Sequence, residues 1–186
     1  CIRDSMGVVR DDRIEAWRAP ADRYREVFAA LHRAAKAGDV VFVDEARGYD
    51  EVPLVFQAIR QPRDYQREAV TAWEKAGRRG QVILPPGAGK SFVAQLAIAS
   101  AGRSALIVVP TLDLMHQWYA GLLTAFAVDE VGLLGGGSYD VRGLTVSTYD
   151  SFVIHMTRLG ARFGLIVFDE CHHLPAPAYL AASSAC

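Results

Sequence analysis

Pro86-Gly87-Ala88-Gly89-Lys90-Ser91 puts two glycines, a lysine and a hydroxyl in the order that suits a phosphate-binding loop. Glycines let the backbone curl so that its N–H groups face an anion, and a following ammonium reaches the outer phosphates. In that role Pro86, Gly87, Ala88 and Gly89 form the cradle, Lys90 meets the β- and γ-phosphates, and the Ser91 hydroxyl ligates Mg2+. Leu84 stands where the strict G-x-x-x-x-G-K-[ST] pattern has its first glycine, so the segment alone is also compatible with a simple turn into a helix. Far downstream, Leu165-Ile166-Val167-Phe168 is an apolar run closed by Asp169-Glu170. Asp169 suits the water shell of Mg2+, and Glu170 suits a base that takes a proton from water attacking the γ-phosphate. Loop and acidic strand exit together favour triphosphate chemistry over an ordinary strand exit with solvated acids.

Such groups need rigid elements to hold them, and the chain alternates strand and helix patterns from Pro62 onward. A helix over 64–76 stopped by Gly77 precedes a strand over Gln81–Leu84, which enters the glycine loop; a helix carrying Phe92, Leu96 and Ile98 leaves it. A strand over 105–109, a helix over 112–126, strands near 131–134 and 144–147 flanking a glycine turn, a helix near 150–158 and a strand over 165–168 follow. The unbroken apolar runs suit strands buried on both faces, hence an α/β fold with a parallel sheet sandwiched by helices and ligand chemistry at the strand C-termini. Ahead of Pro62 charge is about twice as dense, a helix is expected over 21–37 with Gly38 as its stop, and short strands over Val40–Val43 and Leu54–Ile59. The division is therefore an accessory region, 1–62, and a nucleotide-binding unit, 63–186.

Composition narrows the class further. The 186 residues, half of them hydrophobic, exclude a disordered or fibrous chain. No apolar run is long enough to span a bilayer, so the expectation is a soluble, cytoplasmic protein without membrane attachment. With 20 Lys plus Arg against 21 Asp plus Glu, no global basic surface advertises nucleic acid, and any such contact must be local. Three cysteines form neither a disulfide framework nor a metal motif, and Cys171 reads as a small buried residue. Trp73, Trp118 and Tyr119 fall at spacings that favour core packing over base stacking.

Asp169-Glu170-Cys171-His172-His173 resembles the D-E-x-H box of superfamily 2 helicases and translocases. Other segments resemble that family's motifs in the family's order: Arg63-Asp64-Tyr65-Gln66, the glycine loop from Leu84 to Ser91, Val109-Pro110-Thr111-Leu112-Asp113-Leu114-Met115-His116-Gln117-Trp118, and Thr145-Val146-Ser147-Thr148-Tyr149-Asp150-Ser151. The P-T-x-x-L-x-x-Q-W form and the double histidine followed by Leu-Pro-Ala are similar to the XPB-type branch, and the surroundings of Tyr24-Arg25-Glu26 resemble the region before its ATPase core. Departures are Pro86 and Ser91, where threonine is common, and Cys171 at a variable position; the Ser91 hydroxyl is kept.

The resemblance implies a RecA-like lobe 1 that binds ATP and Mg2+, with Gln66 and Arg63 on the adenine and Glu170, Lys90 and Asp169 as catalytic groups. It implies DNA as partner, with Thr111, Gly136 and Thr148 on the strand's phosphates, although the glycine run is equally readable as a plain turn. His172 or His173 would couple the nucleotide to the next motif, unless it merely caps a strand exit. It also implies a further motif and a second RecA-like lobe beyond Cys186, so this chain alone is expected to bind ATP weakly and hydrolyse it barely. The likeness of the first part to prokaryotic XPB-like proteins implies a prokaryotic source. Two other readings stand beside it: a binding module with a structural nucleotide, and a small P-loop kinase, for which the scattered arginines after Lys90 give little support.

Overall fold

In the computed structural model, residues 7–19, 23–44, 52, 54–57, 60–159 and 162–173 are described. The elements in chain order are β1 (Val9–Asp11), β2 (Ala16–Arg18), α1 (Tyr24–Ala37), α2 (Asp64–Lys75), α3 (Lys90–Ala101), β3 (Ala105–Val109), α4 (Leu112–Phe126), β4 (Gly132–Gly135), β5 (Ser138–Tyr139), β6 (Leu144–Thr148), α5 (Tyr149–Leu159) and β7 (Leu165–Phe168), then a 3-10 turn over Cys171–His173.

The sheet has the order β5-β4-β6-β3-β7. β3 lies parallel to both β6 and β7, β4 is parallel to β6, and β5 turns back antiparallel on β4. Alternation along β3 explains the layers, because successive side chains leave opposite faces of a strand. Ala105, Ile107 and Val109 point into a core with Ile98 of α3 and Met115, Trp118, Leu122 and Phe126 of α4. Leu106 and Val108 point the other way, onto Tyr149, Phe152, Met156 and Leu159 of α5. All five β3 residues are buried, as a central strand covered on both faces requires. Phe152 is fully buried and meets Phe168 edge-on at 5.4 Å, so its truncation to alanine should cost about 3–5 kcal/mol.

Local signals set the element ends. α1 stops at Gly38, whose φ of 82° lets its N–H and that of Asp39 return to the Ala35 and Ala34 carbonyls. α4 starts at Thr111, whose hydroxyl accepts the Leu114 N–H at 3.3 Å. Phe42 packs edge-on against Phe28 of α1, and the Tyr24 hydroxyl bonds the Asp44 carboxylate.

Several expected strands are not there. Residues 40–43 form no strand, and Val41 and Val43 stand in solvent. Leu54 and Phe56 reach the core of α3 and α4, with Gln57 N–H on Ala125 O, but without strand pairing; 58–59 lie outside the described residues. Residues 81–84 are also not a strand. An apolar segment becomes one only with a hydrogen-bonded neighbour, and β7 ends the sheet while Ile83 is 81% exposed. The hairpin β1–β2 and the short β5 were not foreseen, since each strand is too brief to show a period. Cys171 is half-buried rather than buried, and accepts a hydrogen bond from Gln81 Nε2. Among the described residues no helix is long and apolar enough to cross a membrane.

Candidate active site

The glycine loop is clamped from the start of α2. Gln66 is 3% exposed, and its Oε1 accepts the Arg63 N–H at 3.0 Å while its Nε2 donates to Ala88 O at 3.0 Å. The Tyr65 hydroxyl donates to the same carbonyl at 2.8 Å, and Arg63 Nη1 donates to that hydroxyl at 3.2 Å. Gly89 sits at φ 80° immediately before α3; a Cβ there would come within 2.8 Å of Gln66 Nε2 and 3.1 Å of Arg60 Nη2. Only glycine fits both that backbone and that approach. The Arg60 guanidinium lies 4.6 Å above the Phe92 ring, which anchors the far side of the clamp. Lys90 and Ser91 therefore begin α3, where helix N–H groups lack intrahelical partners and face the loop. A hollow of about 410 Å³ is lined by Arg63, Tyr65, Leu84, Pro85, Pro86, Gly87 and Ala88.

Asp169 and Glu170 leave β7 at the C-terminal edge of the sheet. The Asp169 N–H donates to Val108 O at 2.9 Å, and the Tyr149 hydroxyl donates to the Asp169 carbonyl at 3.0 Å. Its carboxylate accepts the Glu170 N–H on Oδ1 at 3.0 Å and the Trp118 indole N–H on Oδ2 at 2.7 Å. Glu170 has a φ of 50°, an uncommon conformation for a residue with a Cβ and one that clusters at functional positions. Its carboxylate lies 4.0 Å from Lys90 Nζ and 3.4 Å from His172 Nδ1. The fold thus joins the lysine of the loop to the second acid of the β7 exit. The side chain of His173 lies outside the described residues.

Thr111, Gly136 and Thr148 gather in one place. Thr148 is registered against Val109, two residues before Thr111. Gly135 backs onto Thr148, 3.0 Å from virtual Cβ to Oγ1, and Gly136 onto Leu112, 2.9 Å to Cδ2. Both threonines are N-caps: Thr148 Oγ1 accepts the Ser151 N–H at 3.3 Å as Thr111 does that of Leu114. Two helix starts and a glycine turn thus lie at one sheet edge, and helix N-termini carry the partial positive charge that suits an anion. The glycine run is the turn of the β4–β5 hairpin, with all three residues at positive φ.

Two participants escaped the sequence reading. Tyr65 lies within a quoted motif but was assigned no role, although its hydroxyl holds the loop. Trp118 packs in the core as expected, at 4% exposure, yet also reaches Asp169. A buried indole N–H needs an acceptor, and that requirement was the available signal. For a divalent cation the chain offers hard oxygen donors, the exposed Ser91 hydroxyl and an Asp169 carboxylate with unused lone pairs, which suits Mg2+ held mainly through water and phosphate.

Comparison with known proteins places the chain in a family. Residues 59–185 match the family ResIII, described as "Type III restriction enzyme, res subunit", and residues 3–46 match the "Xeroderma pigmentosum group B helicase damage recognition domain". The "DNA 3'-5' translocase XPB2" of Sulfurisphaera tokodaii is 38% identical over 173 residues, 93% of this chain and 38% of that protein. The "DNA 3'-5' helicase XPB" of Mycobacterium tuberculosis is 38% identical over 64% of this chain and 23% of that protein. The chain spans well under half the length of these relatives. The fold is shared with the UvsW helicase of bacteriophage T4, at a TM-score of 0.59 and 19% identity over 99% of this chain and 80% of that one. It is also shared with a hypothetical ATP-dependent RNA helicase of Sulfolobus tokodaii, at a TM-score of 0.52 and 17% identity over 82% of this chain and 44% of that one. With well over half its length inside the first of these matches, the chain belongs to the ResIII family, and both the model matched by residues 3–46 and the curated relatives it is similar to carry the XPB name.

Proposed function

We propose that this chain is the ATP-binding lobe of an ATP-driven DNA translocase or helicase, with residues 1–62 as an accessory region and 63–186 as the lobe. The observation that carries the reading is the 4.0 Å approach of Lys90 to Glu170, which brings the phosphate-loop lysine and the proposed base together from distant parts of the chain. Adenine would rest in the hollow beside Arg63 and Tyr65, with Gln66 holding the loop and offering its remaining amide hydrogen to the base. The N–H groups of Gly87, Gly89, Lys90 and Ser91 would hold the phosphates, while that of Ala88 stays on the Pro85 carbonyl, and Lys90 would leave Glu170 for the γ-phosphate. Ser91 and Asp169 would hold Mg2+, which when bound withdraws charge from the β- and γ-phosphates. Glu170, released from Lys90, would take the proton of the attacking water. His172, beside Glu170, is placed to relay the state of the nucleotide onward, and His173 would share that role.

Thr111, Gly136 and Thr148 would contact the phosphates of one DNA strand, which positions the strand without reading its sequence. The named activities of the XPB-type relatives support movement in the 3'-5' sense. ATP binding by the purified chain, measured with and without MgCl2, tests the reading. Weak binding tightened by Mg2+ and abolished by Lys90→Ala is expected; equal binding by the Lys90→Ala chain would refute it.

A further inference from the structure

Trp118 belongs to α4, yet its indole nitrogen ends at the carboxylate expected to face the cation. The backbone of Asp169 is pinned by Val108 and by the Tyr149 hydroxyl, which fixes where the side chain starts but not how its carboxylate is rotated. Rotation is set by the two bonds to the oxygens: the local one from Glu170 N–H and the long-range one from Trp118. The long-range bond is 2.7 Å long, has a charged acceptor, and comes from a side chain that core packing on all sides holds in one orientation. A carboxylate has about four lone-pair sites, so these two bonds leave roughly two in fixed directions.

The geometry points to Trp118 as a positioning residue of the nucleotide site: its N–H holds the Asp169 carboxylate in the rotation that presents its free lone pairs to Mg2+. This rests on the ATP-binding reading above. Groups that orient a metal-holding side chain typically change metal affinity about ten- to a hundredfold when removed. The role differs from packing, for which the indole ring alone would serve. Trp118 also follows Thr111 by seven residues on one helix, so the element that starts at the proposed strand-contact patch is the one that holds the carboxylate.

Trp118→Phe keeps an aromatic ring and removes the N–H. The chain and this variant are titrated with N-methylanthraniloyl-ATP, excited directly, first in EDTA and then against rising MgCl2, with Lys90→Ala as control. Equal affinity in EDTA is expected, with the MgCl2 concentration for half-maximal tightening raised about tenfold in Trp118→Phe. Superimposed MgCl2 curves overturn the proposal. A second measurement needs no change at Trp118: in the Trp17→Phe/Trp73→Phe chain it is the only remaining tryptophan. Its emission shifts when MgCl2 is added with ADP, and an unchanged spectrum overturns the proposal. If Lys90→Ala abolishes binding while the curves coincide, the positioning role fails and the ATP site stands. If binding ignores both Mg2+ and Lys90→Ala, the ATP reading fails and the role of Trp118 falls with it.

Discussion

The Gln66 side-chain amide donates to the Ala88 carbonyl at 3.0 Å, so the first turn of α2 holds the glycine loop directly. The residue is nearly fully buried and both ends of its amide are occupied. Gln66→Glu is isosteric; it keeps the acceptor for Arg63 N–H but sets a carboxylate against the Ala88 carbonyl. Losing a buried donor and gaining an unpaired charge should cost about 2 kcal/mol, or a melting temperature lower by roughly 6 °C. ATP and inorganic triphosphate should both lose affinity, because the loop is disturbed, and ATP should lose more, because the amide hydrogen offered to the base goes as well. Calorimetric melting and competition binding check both statements; loss confined to ATP would assign Gln66 to the base alone.

Lys90 and Glu170 are each about 40% exposed, and an ion pair that open contributes under about 1 kcal/mol. Glu170→Gln should therefore leave the melting temperature nearly unchanged. Freed from a competing carboxylate, Lys90 should bind the phosphates more tightly, roughly two- to fivefold. Any slow hydrolysis by the chain should fall by about a hundredfold or more. Isothermal titration with ATP and a phosphate-release assay measure the two effects, and weaker ATP binding by Glu170→Gln would contradict the exchange of partners proposed for Lys90.

Ala127 ends α4 in the left-handed region, at φ 47°, where a Cβ is strained. It is exposed, so removing the methyl group sacrifices little packing. Ala127→Gly should raise stability by about 0.5–1 kcal/mol, a gain of roughly 2 °C. Thermal melting followed by circular dichroism reads this directly, and a lower melting temperature would show that the entropy added to the unfolded chain outweighs the strain relieved.

The sheet and its flanking helices were legible because their signals are strong and local. Ala105–Val109 and Leu165–Phe168 are unbroken apolar runs, Leu112–Phe126 has a threonine cap and helical spacing, and all three ranges match the reading of the sequence. Gln81–Leu84 carries a similar apolar signal but pairs with no strand among the described residues, and pairing is a property of the whole sheet. The loop, the acids and the two threonines were legible by residue type. What linked them was not: Lys90 meets Glu170, Trp118 meets Asp169, and Tyr65 meets Ala88 across separations that only the fold closes. Gln66 was legible as a site residue, while its tie to the loop carbonyl follows from burial.

Asp11 offers the clearest pH dependence. On the β1–β2 hairpin its carboxylate accepts from Arg13 Nε at 3.0 Å and Nη2 at 2.9 Å, and from Arg18 Nη1 at 2.9 Å. These guanidinium bonds, those of Arg13 foremost, hold the Asp11 carboxyl well below the ordinary aspartate range near 4. A folded pKa below the unfolded one means that the folded hairpin binds the proton less well than the open chain does. The stabilisation is thus fully present above the ordinary aspartate pKa, and it is lost as the pH falls through the lower folded value. Asp11→Asn should weaken the hairpin at neutral pH, and its difference from the unmodified chain should vanish only in strong acid. A carboxyl-carbon NMR titration tests this. The Asp11 midpoint should fall below the ordinary aspartate range, and a midpoint inside that range would show that the arginines do not hold it in solution.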